Sequence, residues 1–132
     1  MASILIVDDE LEVREAIRRV LERAGFEVAE ANSAAGGLEL VEDDPPDIVV
    51  TDIIMPRVHG VDFIKALHER HSRVQVIAIS GGGSFGLLAY EPDAISTHAY
   101  LAAARAAGAR EVLTKPFDMA DLLDAVRKLL PN

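Results

Sequence analysis

The chain has 132 residues, no cysteine, 13 Lys and Arg against 22 Asp and Glu, and a net charge of -9. That is room for one compact domain with its own core, and the missing cysteines exclude zinc fingers, disulfide scaffolds, thiol nucleophiles and iron–sulfur centres while agreeing with a cytoplasmic setting. The acidic excess argues against nucleic-acid and anionic membrane partners, and the apolar stretch from Ala2 to Val7 is too short for a membrane span or signal core.

Short Ile- and Val-rich runs alternate with helical periodicities, the pattern of successive βα units around a parallel sheet. Ser3 to Val7 is a continuous apolar run, as in a buried strand. Val13, Ile17, Val20, Leu21 and Ala24 then keep helical spacing up to Gly25. Phe26 to Ala31 alternates weakly, as an edge strand would. Ser33 is placed to cap a helix through Leu38 and Val41, which the Asp43-Asp44-Pro45-Pro46 run breaks. Ile48 to Thr51 is a third strand. Val61, Ile64, Leu67 and His68 fall on one helical face, and Val74 to Ile79 reads as a fourth strand. Tyr100, Leu101, Ala104 and Ala107 form a short helix closed by Gly108, and Glu111 to Thr114 is a fifth strand. A last helix carries Met119, Leu122, Leu123, Val126, Leu129 and Leu130. Between strand four and the short helix, residues 81–98 fit neither period; loops of this length are often functional.

In an open parallel sheet, ligands bind beyond the carboxyl ends of the strands where strand order reverses. The residues at those ends are Asp8 and Asp9, Asp52, Ser80 and Lys115. Carboxylates gathered at one point repel by about 4 kcal/mol per pair at 4 Å in an effective dielectric of 20. Lys115 offsets one charge; a divalent cation would offset the rest, and all-oxygen donors favour Mg²⁺, with Mn²⁺ as an alternative, over zinc. A carboxylate, a hydroxyl, an ammonium and a metal around one point suit the oxygens of a phosphoryl group, so the inferred chemistry is phosphoryl transfer.

The strings ILIVDDE at 4–10, VVTDIIMP at 49–56 followed by Gly60, AISG at 78–81 and LTKPF at 113–117 resemble, in this order, the receiver domain of two-component response regulators. The resemblance covers essentially the whole chain. It implies a flavodoxin-like, doubly wound α/β fold with a five-stranded parallel sheet in order 2-1-3-4-5, in one domain over residues 1–132. It further implies that Asp52 accepts a phosphoryl group from a phosphohistidine of a sensor histidine kinase or phosphotransfer protein. Asp9, Asp52 and the carbonyl of Ile54 would bind Mg²⁺ directly and Asp8 mainly through water. Lys115 would pair with phosphoryl oxygens, and Ser80 would hydrogen-bond the transferred group. Such a domain is not a classical enzyme: it catalyses its own phosphorylation and dephosphorylation and signals by binding a downstream protein. The expected form is a stand-alone receiver, with a fragment of a longer regulator as the other possibility.

Two departures stand out. The family usually carries an aromatic residue, whose rotation accompanies activation, three positions before the lysine; here it is Val112, which has one stiff χ1 and no polar tip. Thirty-five positions separate Ser80 from Lys115, roughly a dozen more than the family pattern, implying an insertion around 82–98. That insertion, with Phe85, Tyr90 or Tyr100, either replaces the aromatic switch or is a passive surface loop. The alternative function is a phosphorylation-independent interaction module on a receiver fold.

Other signals rank lower. Gly81, Gly83 and Gly86 match a dinucleotide-loop string but follow the fourth strand and lack a ribose-binding acid. His68 and His71 read as a solvated face, and His59 as a turn residue near Asp52. The charged run Glu10, Glu12, Arg14, Glu15, Arg18, Arg19 reads mostly as an exposed helix face. A haloacid-dehalogenase-like phosphatase would carry its nucleophile after the first strand, and an FMN carrier would not place Asp8 and Asp9 against a phosphate.

Overall fold

The computed structural model describes residues 2–53, 60–80, 102–114 and 117–130. Its elements run β1 (Ser3–Val7), α1 (Leu11–Arg23), β2 (Glu27–Ala31), α2 (Ala34–Asp43), β3 (Ile48–Asp52), α3 (Gly60–Arg70) and β4 (Gln75–Ser80). They continue with helical residues 102–107, here α4, then β5 (Glu111–Thr114) and α5 (Met119–Leu129). The five strands form one parallel sheet in the order β2-β1-β3-β4-β5, the order the sequence implied.

The central strands are apolar on both sides because helices cover both faces. Along β1, Ile4 and Ile6 join Ile17 and Leu21 of α1 and Leu122, Ala125 and Val126 of α5 in one core. Leu5 and Val7 point the other way, into a core with Val41 of α2, Phe63, Ile64 and Leu67 of α3, and Ala104 of α4. Period-two alternation thus splits the sheet between an α1/α5 face and an α2/α3/α4 face. β2 lies at the edge and shows the alternating burial expected there.

The helix boundaries follow local chemistry. The Ser33 hydroxyl accepts the Gly36 N–H at 3.1 Å, the N-cap expected from the sequence. Gly25 and Gly108 follow α1 and α4 with φ of 99° and 131°, which residues with a Cβ rarely adopt. On α3 the buried residues are Gly60, Phe63, Ile64 and Leu67. His68, which the spacing puts at the margin of that face, is exposed, in keeping with its reading as a solvated residue, and Phe63 joins the buried set.

Candidate functional site

The strand order turns at β1, which has β2 on one side and β3 on the other. The crevice this creates opens at the carboxyl ends of β1 and β3. Asp8 is the first residue after β1, and its N–H donates to Ala31 O at 3.2 Å, carrying the pairing with β2 one step further. Its Oδ1 accepts the Glu10 N–H at 2.8 Å, which folds the turn 8–10 back over the crevice. Asp52 is the last residue of β3. The chain leaving it stays paired, since the Ile53 N–H donates to Ile79 O at 3.0 Å. The Gly60 N–H then donates to Ile53 O at 3.1 Å. A Cβ on Gly60 would lie 2.3 Å from Ile53 Cα and 2.8 Å from Asp52 O, so only glycine lets α3 start against the backbone at Asp52.

Asp8 and Asp52 are buried, 1% and 6% exposed, with Glu10 half-buried beside them. One carboxylate oxygen from each of the three lies within 4.8 Å of the others. At that distance each pair of charges repels by about 3 kcal/mol in an effective dielectric of 20, so the group favours a cation. Three close carboxylates, with no His or Cys donor among them, fit a hard divalent ion such as Mg²⁺ or Mn²⁺. Ser80 ends β4, paired with Thr114 of β5, and is 1% exposed. Among the described residues its Oγ has no hydrogen-bond partner. A buried hydroxyl without a partner at the rim of the crevice is available to a group that enters it.

A network of ion pairs flanks the acidic turn. Arg14 of α1 bonds Glu30 Oε1 of β2 at 2.9 Å, and Arg18 bonds Glu30 Oε2 at 2.6 Å and Glu22 at 3.0 Å. The Arg18 guanidinium, and then that of Arg14, hold the Glu30 carboxyl below the usual carboxylate range. The same bonds, from Glu30 first and then Glu22, raise Arg18 above its ordinary value.

The sequence pattern of the response regulator receiver domain matches residues 4–90. The chain belongs to that family. It is 34% identical to the chemotaxis protein CheY of Bacillus subtilis over 96% of each chain. It is also 34% identical, over 97% of its length, to the C4-dicarboxylate transport transcriptional regulatory protein DctD of Pseudomonas aeruginosa, but spans only 25% of that regulator. Among solved structures, a response regulator receiver domain protein from Clostridium thermocellum superposes with a TM-score of 0.79 at 30% identity, covering 98% of this chain and 94% of its own. Receiver domains are signalling proteins, which sets this site within two-component signalling.

Within this receiver, Asp8, Asp52 and Ser80 occupy the strand ends expected from the sequence. Asp9 is exposed and lies outside the close group of carboxylates, where Glu10 stands instead. In sequence Glu10 falls in the charged run that reads mostly as an exposed helix face; the signal for it is the short turn after Asp8, whose carboxylate captures the Glu10 amide. Val112 lies in β5 and packs against the α2/α3/α4 core, half-buried. Lys115, Ile54 and the expected insertion at 82–98 lie outside the described residues. No helix among the described residues is long and apolar enough to cross a membrane.

Proposed function

We propose that this receiver is a phosphorylation switch in which Asp52 is the phosphoacceptor. The observation that carries the reading is the buried Asp52 carboxylate at the end of β3, grouped with Asp8 and Glu10 where the sheet order turns. A carboxylate oxygen of Asp52 attacks the phosphorus of a phosphohistidine on a sensor kinase or phosphotransfer protein. The P–N bond breaks, and the imidazole leaves with its electron pair. As the receiver pattern implies, Asp9, Asp52 and the Ile54 carbonyl would hold Mg²⁺ and Asp8 would act mainly through water, while Glu10, which stands in the close group where Asp9 does not, would add a further carboxylate. When bound, the ion supplies positive charge to the phosphoryl oxygens. Lys115 pairs with a phosphoryl oxygen, and the Ser80 hydroxyl donates to another once the group is in place.

Residues 82–98 form an insertion between β4 and α4 in a single receiver domain. Support comes from the thirty-five positions between Ser80 and Lys115 and from the family pattern, which stops at residue 90 within that span. Output passes to a downstream protein, and Val112, which has no polar tip, leaves Ser80 as the contact between the transferred group and the segment that follows it.

The test is intact mass after incubation with acetyl phosphate, with and without Mg²⁺, for the wild type and Asp52→Asn. The expected result is a Mg²⁺-dependent gain of one phosphoryl group that the variant lacks. Equal gain in Asp52→Asn would move the acceptor elsewhere. No gain from acetyl phosphate or from a histidine kinase would favour a module that signals by binding alone.

A further inference from the structure

The Arg14 side chain holds the start of the acidic turn, and the helix backbone holds its end. The Arg14 backbone N–H donates to the Glu10 carbonyl at 3.1 Å, in the first turn of α1. Its guanidinium reaches back along the helix, and one nitrogen donates to the Asp8 carbonyl at 2.7 Å. A second nitrogen is held by Glu30 on β2 at 2.9 Å. Glu30 is fixed in turn by Arg18 at 2.6 Å, so the guanidinium has a rigid seat on the edge strand. The Arg14 side chain is only 13% exposed, far from the solvated residue its place in a charged run suggests. A planar fork with two fixed acceptors loses little freedom on binding, which suits it to hold backbone in place.

The turn it grips carries two of the three clustered carboxylates. Asp8 and Glu10 are joined by the bond from the Glu10 amide to Asp8 Oδ1, and both carbonyls that flank Asp9 are tied to Arg14. We infer that Arg14 is a positioning residue for the cation site: its guanidinium, seated on Glu30, bonds the Asp8 carbonyl and holds the turn so that its carboxylates face Asp52. The inference rests on the reading of this cluster as a divalent-cation site.

Charge alone makes the opposite prediction, which renders the role measurable. A guanidinium near three carboxylates repels an incoming cation, so its removal by charge alone would tighten cation binding. As a positioning residue, its removal loosens the turn and weakens binding. The probe is Mn²⁺, followed by the electron paramagnetic resonance signal of the free ion, with thermal melting alongside, for the wild type, Arg14→Met, Arg14→Lys and Asp52→Asn. Arg14→Met keeps much of the apolar stem and loses both donors. Its expected dissociation constant for Mn²⁺ rises about fivefold or more. Arg14→Lys keeps the charge but not the fork, and its expected rise is smaller, about twofold to threefold.

Unchanged or tighter Mn²⁺ binding in a cooperatively melting Arg14→Met protein overturns the inference, whatever its melting temperature, since a merely structural brace would move the melting point alone. If Arg14→Met does not melt cooperatively, Arg14→Lys decides, and wild-type affinity in that variant overturns it. Asp52→Asn separates the two levels of argument: if it binds Mn²⁺ as the wild type does, the cation-site reading itself fails.

Discussion

On the α1/α5 face of the sheet, Asp8 and Asp52 continue the alternation of Ile4 and Ile6 and of Ile48 and Val50, so apolar strands end in carboxylates. On the α2/α3/α4 face, Ser80 continues Val76 and Ala78, and Val112 packs into that core. One face therefore gathers the charge, and the other carries the hydroxyl and the position where the family usually has its aromatic. The ion pairs differ in the same sense. Arg14 and Glu30, 13% and 21% exposed, are tied to the acidic turn, whereas Arg70 and Glu42, 57% and 47% exposed, join α3 to α2 in solvent. Packing is shared by both faces; among the described residues, the half-buried ion-pair bracing lies on one. The contrast teaches that the two cores fix where the strands end, while the site's fine geometry rests on a few bonds around α1.

Equal packing can be broken by truncation. Ile64 on one face and Leu122 on the other are both 0% exposed. Replacing either by Ala should cost about 2–5 kcal/mol in urea unfolding, because each leaves a cavity the surroundings only partly fill. A loss below about 1 kcal/mol on one face alone would show that face to be loosely packed. Overpacking gives a smaller effect. A Cβ on Gly37 would lie 2.9 Å from Val7 Cγ2 and 3.2 Å from Phe63 Cζ, so Gly37→Ala should cost about 1–3 kcal/mol, less any gain in helix propensity. A neutral outcome would mean that α2 can slide on the sheet.

The strands, most of the helices and the strand-end positions of Asp8, Asp52 and Ser80 were legible because they follow from hydrophobic period and from the strand-end rule, which are properties of single segments, whereas the strand order came from the resemblance to receiver domains. Glu10 and Arg14 were not. Both sit in a charged run whose pattern matches an exposed helix face; Glu10 is turned inward by the Asp8 carboxylate, and Arg14 is seated on Glu30, which is 16 positions away in sequence and on another element. The meaning of Glu30 comes only from the pairing of β1 with β2, which sets it opposite Ile6 and near the start of α1. His68 shows the limit of a period, which places it beside Ile64 and Leu67 but does not fix where the face stops; it is exposed, as its reading as a solvated residue had it, and Phe63 fills the space against Gly37.

The smallest effect lies in the ion pairs, and acid sharpens the comparison there. The Arg18 and Arg14 guanidiniums hold the Glu30 carboxyl below its usual range, so between its folded and unfolded values the unfolded chain binds more protons. The contribution of Glu30 is therefore complete above the ordinary carboxylate value and is lost as pH falls through the folded one. Glu30→Gln should lie below the wild type by a constant margin from about pH 6 to 8, and the gap should close as pH falls below about 4. Urea unfolding across that range measures it; a gap that persists unchanged in acid would show that Glu30 acts through packing rather than charge. The solvated partner pair gives the scale, because Arg70→Gln should cost no more than about 1 kcal/mol at neutral pH. If the two substitutions prove equal at neutral pH and Glu30→Gln leaves Mn²⁺ affinity untouched, burial of the Arg14 network has no bearing on the site, and the two faces differ only in where their carboxylates fall.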